Sequence, residues 1–172
     1  MAKRSDLSSE EYSPYFKMYL DLIDRDMDHL EVLEHYKSVS LNFIEAIEKD
    51  FQYSYAPGKW TIAQVIMHNI DTERVFNYRA LSFLRGSTES LAGFDQDVFV
   101  GGLDNYAFAK AELLSQFTAT RDATIELFKY CTETQLARTG IASGKTMSAR
   151  VLPFLIAGHH LHHEKIIKER YL

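Results

Sequence analysis

Gly158-His159-His160-Leu161-His162-His163-Glu164 places four of the chain's seven histidines within five positions. The run lies inside an apolar-periodic segment, Leu152 to Tyr171, and not in a polar, unpatterned terminus, so it is not an expression tag. At about 100° per residue, Leu152, Ile156, His159, His163 and Ile166 share one face of a helix. His159 and His163 therefore sit one turn apart and point the same way, with His160 and His162 to either side. Two imidazoles at i, i+4 can converge on one metal ion. Clustered histidines can equally form a solvated or interfacial face. Two histidines rarely hold such an ion alone, so a metal site needs a ligand from elsewhere. His160 stands where a His-Glu-x-x-His protease carries its general base, so that motif is absent.

The missing ligand is found upstream. Thr61-x-x-Gln64 reads as a capping box. The helix it opens runs through Val65, His68, Val75, Phe76 and Phe83 to Gly86, a residue suited to the position just past a helix end. His68, Thr72, Val75 and Arg79 align on one face. A lone core histidine is usually a hydrogen-bonding group, but His68 paired with the His159/His163 turn makes a three-histidine site. Asp71, one turn from His68, is the candidate base or outer hydrogen-bond partner, whereas Glu73 turns away from the His68 face.

The other elements are helical too. Ser13-Pro14 starts a short helix reaching about Ile23. Met27, Leu30, Leu33, Leu41, Ile44 and Ile47 predict a long amphipathic helix from about Asp26 to Asp50. His35 falls off its apolar line, as a solvated residue would, and His29 is undecided. Ala56-Pro57-Gly58 breaks the chain. A third pattern runs from Asn105 to Cys131. The last helix starts near Thr146 to Ser148, with Pro153 either kinking it or marking its true start. Residues 86 to about 104 read as a loop packing back over the bundle. Asp95 and Asp97 there suit turn capping more than orienting a ligand histidine. Thr139 to Lys145 reads as loop, and no strand pattern stands out. The expected fold is all-α: a four-helix bundle with a short extra N-terminal helix, as one domain over residues 1–172.

Composition narrows the function. A chain of 172 residues with 46% apolar content suits one domain with a substantial core. A net charge of −5 and no basic patch argue against nucleic acid as a partner. No segment has about 18 uninterrupted apolar residues, so no membrane partner is expected. Cys131 is the single cysteine, which excludes an internal disulfide and fits a cytoplasmic protein. It is a candidate nucleophile, though a buried small apolar residue near a helix end fits better. Phe154, Ala157 and Leu161 on the last helix, and Ile66, Ile70, Leu81 and Leu84 on the His68 helix, form second apolar faces that predict a homodimer.

These stretches together resemble the DinB/YfiT-like superfamily of metal-dependent enzymes. The resemblance rests on Tyr55-Ala56-Pro57-Gly58-Lys59-Trp60-Thr61-Ile62, on His68-Asn69-Ile70-Asp71-Thr72-Glu73-Arg74, and on Gly158-His159-His160-Leu161-His162-His163. It extends through Arg79-Ala80 and Phe94-Asp95-Gln96-Asp97 to Glu169-Arg170-Tyr171-Leu172, nearly the whole chain. The DNA polymerase that shares the DinB name is unrelated to it. The resemblance implies a bundle, often dimeric, with one divalent ion on His68, His159 and His163. Similar sequences commonly carry Glu where this chain has His160. Their members resemble S-transferases or isomerases using bacillithiol, mycothiol or glutathione, and others are described as metal-dependent hydrolases.

Three neutral histidines leave an ion its full charge and an open position. Imidazole suits zinc, nickel, iron and copper alike; zinc or nickel is the expected ion, with iron as the alternative. The family resemblance favours an enzyme in which a low-molecular-weight thiol cosubstrate loses its proton on coordination and attacks a small-molecule substrate. The alternatives are a hydrolase using metal-bound hydroxide, and a non-catalytic metal- or ligand-binding dimer.

Overall fold

The computed structural model describes residues 1–104 and 106–172. The N-terminal element expected after Ser13 is a turn of 3-10 helix, Pro14–Phe16, running into α1, Lys17–Leu20. Ser13 precedes it in extended conformation without a side-chain cap. Helix α2 spans His29–Ala46, within the expected range, and opens on a capping box in which Asp28 accepts from the backbone of Leu30 and Glu31. Helix α3 spans Ile62–Leu84 and has the predicted box: Gln64 N donates to Thr61 Oγ1 at 3.2 Å, and Thr61 N to Gln64 Oε1 at 2.8 Å. Its end is a Schellman motif, with Gly86 at φ +82° and Ser87 N donating back to the Ser82 carbonyl. Helix α5, Lys110–Lys129, starts later than expected, and the expected start at Asn105 lies outside the described residues. Helix α7, Leu152–Arg170, follows a 3-10 turn at Ala149–Val151, so Pro153 marks the true start and produces no kink.

Helices α2 and α3 each pack on both α5 and α7, so the consecutive pair α2 and α3 lie diagonally across a four-helix bundle. Two apolar cores fill it. One joins Ile44 of α2 and Ile47 just past its end, Ile62 to Ile70 of α3, Leu113 and Phe117 of α5, and Ile167 of α7. The other joins Val32 and Leu33, Phe76 to Leu84, Phe128, and Leu152 to Ala157, together with Tyr19 and Leu20 of α1. The break between them falls at mid-height on all four helices. That level is occupied by buried polar side chains: Ser40, His68, Thr72, Glu73, Arg121, Thr124, His159, His160 and Glu164. The bundle thus carries its chemistry in one layer between two hydrophobic ends.

Two expectations need correction. The stretch after Gly86 is not a structureless loop. It contains α4, Gln96–Gly101, whose first N–H groups, from Asp97 at 2.8 Å and Val98 at 3.2 Å, are capped by the Asp95 carboxylate. Six residues are too few to show a period. A β-hairpin, β1 Thr139–Ala142 and β2 Lys145–Ser148, replaces the expected loop, with Gly140 opposite Met147. Its turn residues Ser143 and Gly144 both have positive φ, 53° and 70°, as a two-residue type I′ turn requires. Of the residues on the two second apolar faces named above, Leu161 is half-buried. Phe154, Ala157, Ile66, Ile70 and Leu84 are buried, and Leu81 is the exposed member of the set. Helix α6, Glu133–Leu136, is a further short element that leads into the hairpin. No helix among the described residues is long and apolar enough to cross a membrane.

Candidate metal centre

The α3–α7 contact brings His68, His159 and His163 together, each offering a ring nitrogen within 4.8 Å of the others. His68 Nε2 and His159 Nε2 are 3.2 Å apart. The His163 ring centroid lies 4.8 Å from that of His68 and 4.6 Å from that of His159. Trp60, from the turn ahead of α3, covers His68 at 5.1 Å between ring centroids. Tyr19 of α1 stands edge-on to His159 at 5.3 Å and to His162 at 5.4 Å. Gly158 makes this possible. A β-carbon there would lie 2.3 Å from the Tyr19 carbonyl oxygen, so only glycine lets α1 rest on α7 beside the histidines.

Burial sets the charge state. It pulls the His68 imidazole down to about 4, with His160 adding to the effect. It pulls His163 down to about 3, with His68, His162 and His160 contributing, and it holds His159 far below the ordinary value. All three are neutral at pH 7, each with a free lone pair. The residues fit a divalent ion. A tetrahedral ion at about 2.0–2.1 Å from each nitrogen spaces its ligands roughly 3.3 Å apart, close to the 3.2 Å between His68 and His159. Without a cation, these two nitrogens can share at most one proton, and a third imidazole, the half-buried His163, faces them. Behind the ligand atoms, Thr72 Oγ1 approaches His68 Nδ1 at 3.5 Å, and His159 Nδ1 is buried without a hydrogen-bond partner among the described residues.

Next to the cluster lies a cavity of about 320 Å³, walled by Tyr19, Thr72 and Phe76 near the histidines and by Arg79, Phe94 and Lys145 farther out. Among the described residues, no carboxylate lines it. The loop after Gly86 does reach over the site, through Phe94 and Gln96.

The structure sorts the remaining candidates. Asp71, the expected base or outer partner, is bound to Arg74 at 2.9 Å and does not line the cavity. Asp95 caps α4, the role the sequence favoured, and Asp97 lies in the first turn of that helix. His162 packs on Tyr19, half-buried, outside the cluster. His35 is exposed as expected, and His29 is a buried residue whose ring lies 6.5 Å from that of Phe128. Cys131 donates weakly to the Leu127 carbonyl at 3.2 Å, burial raises its thiol pKa, and it does not line the cavity.

His160 faces the other way. Its Nε2 lies 3.0 Å from Glu73 Oε2, a close polar contact between two buried side chains. Glu73 accepts from Arg121 Nε and Nη2 and from Thr124 Oγ1. Burial alone would raise the Glu73 carboxyl, but the Arg121 charge and its hydrogen bonds, with His160 alongside, outweigh this and hold it well below the usual carboxylate range. Deeper along α7, Ser40 Oγ donates to Glu164 Oε1 at 2.5 Å. The sequence reading missed this network. The available signal was Glu73 on a helix face otherwise apolar, where a charge must find a partner.

A bundle with a buried three-histidine cluster on facing helices belongs to the class of helical proteins that place metal sites between their helices. The chain belongs to the DinB superfamily, whose family model matches residues 34–167. Among solved structures it is similar to YfiT from Bacillus subtilis, described as a probable metal-dependent hydrolase with an unusual four-helix bundle topology. That likeness has a TM-score of 0.71 at 18% identity and covers 98% of this chain and 90% of the other. A comparison with curated proteins returns no match.

Proposed function

We propose that the protein is a metal-dependent enzyme in which His68, His159 and His163 hold one divalent ion, with zinc or nickel the expected one. Its favoured activity is transfer of a low-molecular-weight thiol to an electrophilic small molecule. The observation that carries the choice is the cavity wall. It offers neutral histidines and aromatic rings but, among the described residues, no carboxylate to act as a base. Bound there, the ion supplies Lewis acidity that lowers the pKa of a coordinating thiol or water. A thiol activated in this way needs no separate protein base. Its sulfur bonds to the electrophilic carbon, the leaving group departs with its electron pair, and the thiol proton passes to solvent. The protein's own residues do the remaining work. Trp60 and Tyr19 shield the cluster. Burial, reinforced by Tyr15, keeps the Tyr19 hydroxyl protonated, so it can donate to a developing negative charge. The thiol comes from outside, since Cys131 does not line the cavity.

Hydrolysis is the second reading, supported by the description of the similar YfiT structure. The deciding assay supplies metal-loaded protein with glutathione and a chloronitrobenzene, and separately with an activated ester and no thiol. Thiol-dependent turnover that is lost in His159→Ala and kept in Cys131→Ser is expected. Ester hydrolysis without thiol, with no transfer to the nitrobenzene, would replace the transferase reading by the hydrolase.

A further inference from the structure

The fold contains two deeply buried arginines and treats them differently. Arg121 is wholly buried, and its guanidinium is matched by both oxygens of Glu73. Arg79 is 3% exposed, yet no carboxylate among the described residues pairs with it. Its Nη2 donates to Ser143 Oγ at 2.8 Å and, at 3.5 Å, to the Ala92 carbonyl, while Nε is buried with no partner. Removing a guanidinium from water without a counter-charge is costly. A folded chain that does so has a cation waiting for an anion.

The place of Arg79 says which anion. It lines the same cavity as His68 and His159. His68, Thr72 and Arg79 share a face of α3. Roughly 16 Å of axial rise separates the first and last, and the Arg79 side chain, longer than that of His68, leans toward the N-terminus and so shortens that span. Its guanidinium lies 5.6 Å from the Phe76 ring centre. The β1–β2 hairpin adds a second cation, Lys145, at the exposed rim. Tyr19, Phe76 and Phe94 give the space between an aromatic wall. The planar guanidinium fork suits the two oxygens of a carboxylate.

We propose that the cavity takes a small organic carboxylate, with its anionic end on Arg79 and Lys145, its body against Phe76 and Phe94, and its reacting end toward His68 and His159. This names the substrate class of the site described above. It rests on that reading for the reacting end only, because the anion subsite is built whether or not the histidines hold an ion.

Calorimetric titration with phenylbutyrate and with phenylbutanol, which share a body and differ at the polar end, tests the idea in zinc-loaded and metal-free protein. Wild type should prefer the acid by at least about tenfold in both forms. Arg79→Met should erase the preference while leaving the alcohol's affinity within about threefold, and Lys145→Met should reduce the preference by a smaller factor. Arg79→Lys, which keeps a charge and one donor set, should retain part of it and serves if Arg79→Met does not fold. Equal affinity for acid and alcohol in wild type would overturn the proposal. So would a preference seen only with zinc and preserved in Arg79→Met or, if that variant does not fold, in Lys145→Met, since the carboxylate would then be on the ion. Acid preference in a protein that binds no zinc would leave the subsite standing and remove the metal reading instead.

Discussion

Arg121 Nε and Nη2 donate to the two oxygens of Glu73 at 2.8 and 3.0 Å, and neither side chain has any exposed surface. The pair ties α5 to α3 at the level of the histidines. A third bond, from Arg121 Nη1 to the Leu33 carbonyl at 3.3 Å, reaches α2. A buried pair of this kind is expensive to break and much less expensive to replace. Glu73→Gln should therefore cost about 3–5 kcal/mol, because it leaves the Arg121 charge buried without its partner. Glu73→Met combined with Arg121→Met should recover most of that loss. Urea unfolding of the single and double variants checks both numbers, and additive losses would show that the pair is not the coupled unit described.

Metal content separates the ligands from their neighbours. Single changes of His68, His159 or His163 to Ala should each lower bound metal sharply. His162→Ala should bind as wild type does. His160→Ala should keep its metal while losing about 1–3 kcal/mol of stability, since a buried polar contact to Glu73 is removed. Elemental analysis beside thermal melts makes the comparison. Metal lost from His162→Ala and retained by His163→Ala would show that the helical phase assigned to α7 is not the one used in binding.

The histidine cluster also predicts how the metal-free protein responds to acid. The folded-state values of His68 and His163, about 4 and about 3, lie below the ordinary imidazole value of 6.5. Between those limits the folded chain binds fewer protons than the unfolded chain. Stability is therefore whole above about pH 6.5 and falls as the pH drops toward 4 and 3. The depressed Glu73 carboxyl adds to the loss below the usual carboxylate range. A bound ion accepts only neutral imidazoles and competes with these protons. Unfolding midpoints measured against pH should show the metal-loaded protein losing stability at lower pH than the metal-free form. Coincident curves would argue against histidine ligation.

Gly158 gives a steric prediction. A methyl group there meets the Tyr19 backbone and not a flexible side chain. Gly158→Ala should force α1 away from α7, costing about 1–3 kcal/mol, and should expose the His159 side of the cluster. Thermal melting reads the cost, and quenching of tyrosine fluorescence reads the displacement. A variant as stable as wild type, with unchanged quenching, would show that α1 rests on α7 less closely than described.

Local features were legible in the sequence because local geometry creates them. The i, i+4 relation of His159 and His163 is set by the pitch of one helix. The Thr61–Gln64 box and Gly86 act within a turn or two. Those features determined an all-α bundle and the ligand-bearing faces of α3 and α7. Short elements were not legible. In α4 a single cap on Asp95 holds six residues. The hairpin depends on Gly140, where a β-carbon would lie 2.0 Å from the Phe83 ring, and on Leu91 bonding across to Ile141.

Which residues meet across long stretches of chain is set by the packing of whole helices. His68 reaches His159 over 91 residues, and Arg121 reaches Glu73 over 48. Arg79 finds Ser143 over 64 residues and finds no carboxylate. Periodicity assigns a side chain to a face of its own helix, but the element opposite is chosen by how whole helices pack. That choice joined the three histidines, gave Glu73 its partner and left Arg79 facing the cavity without one.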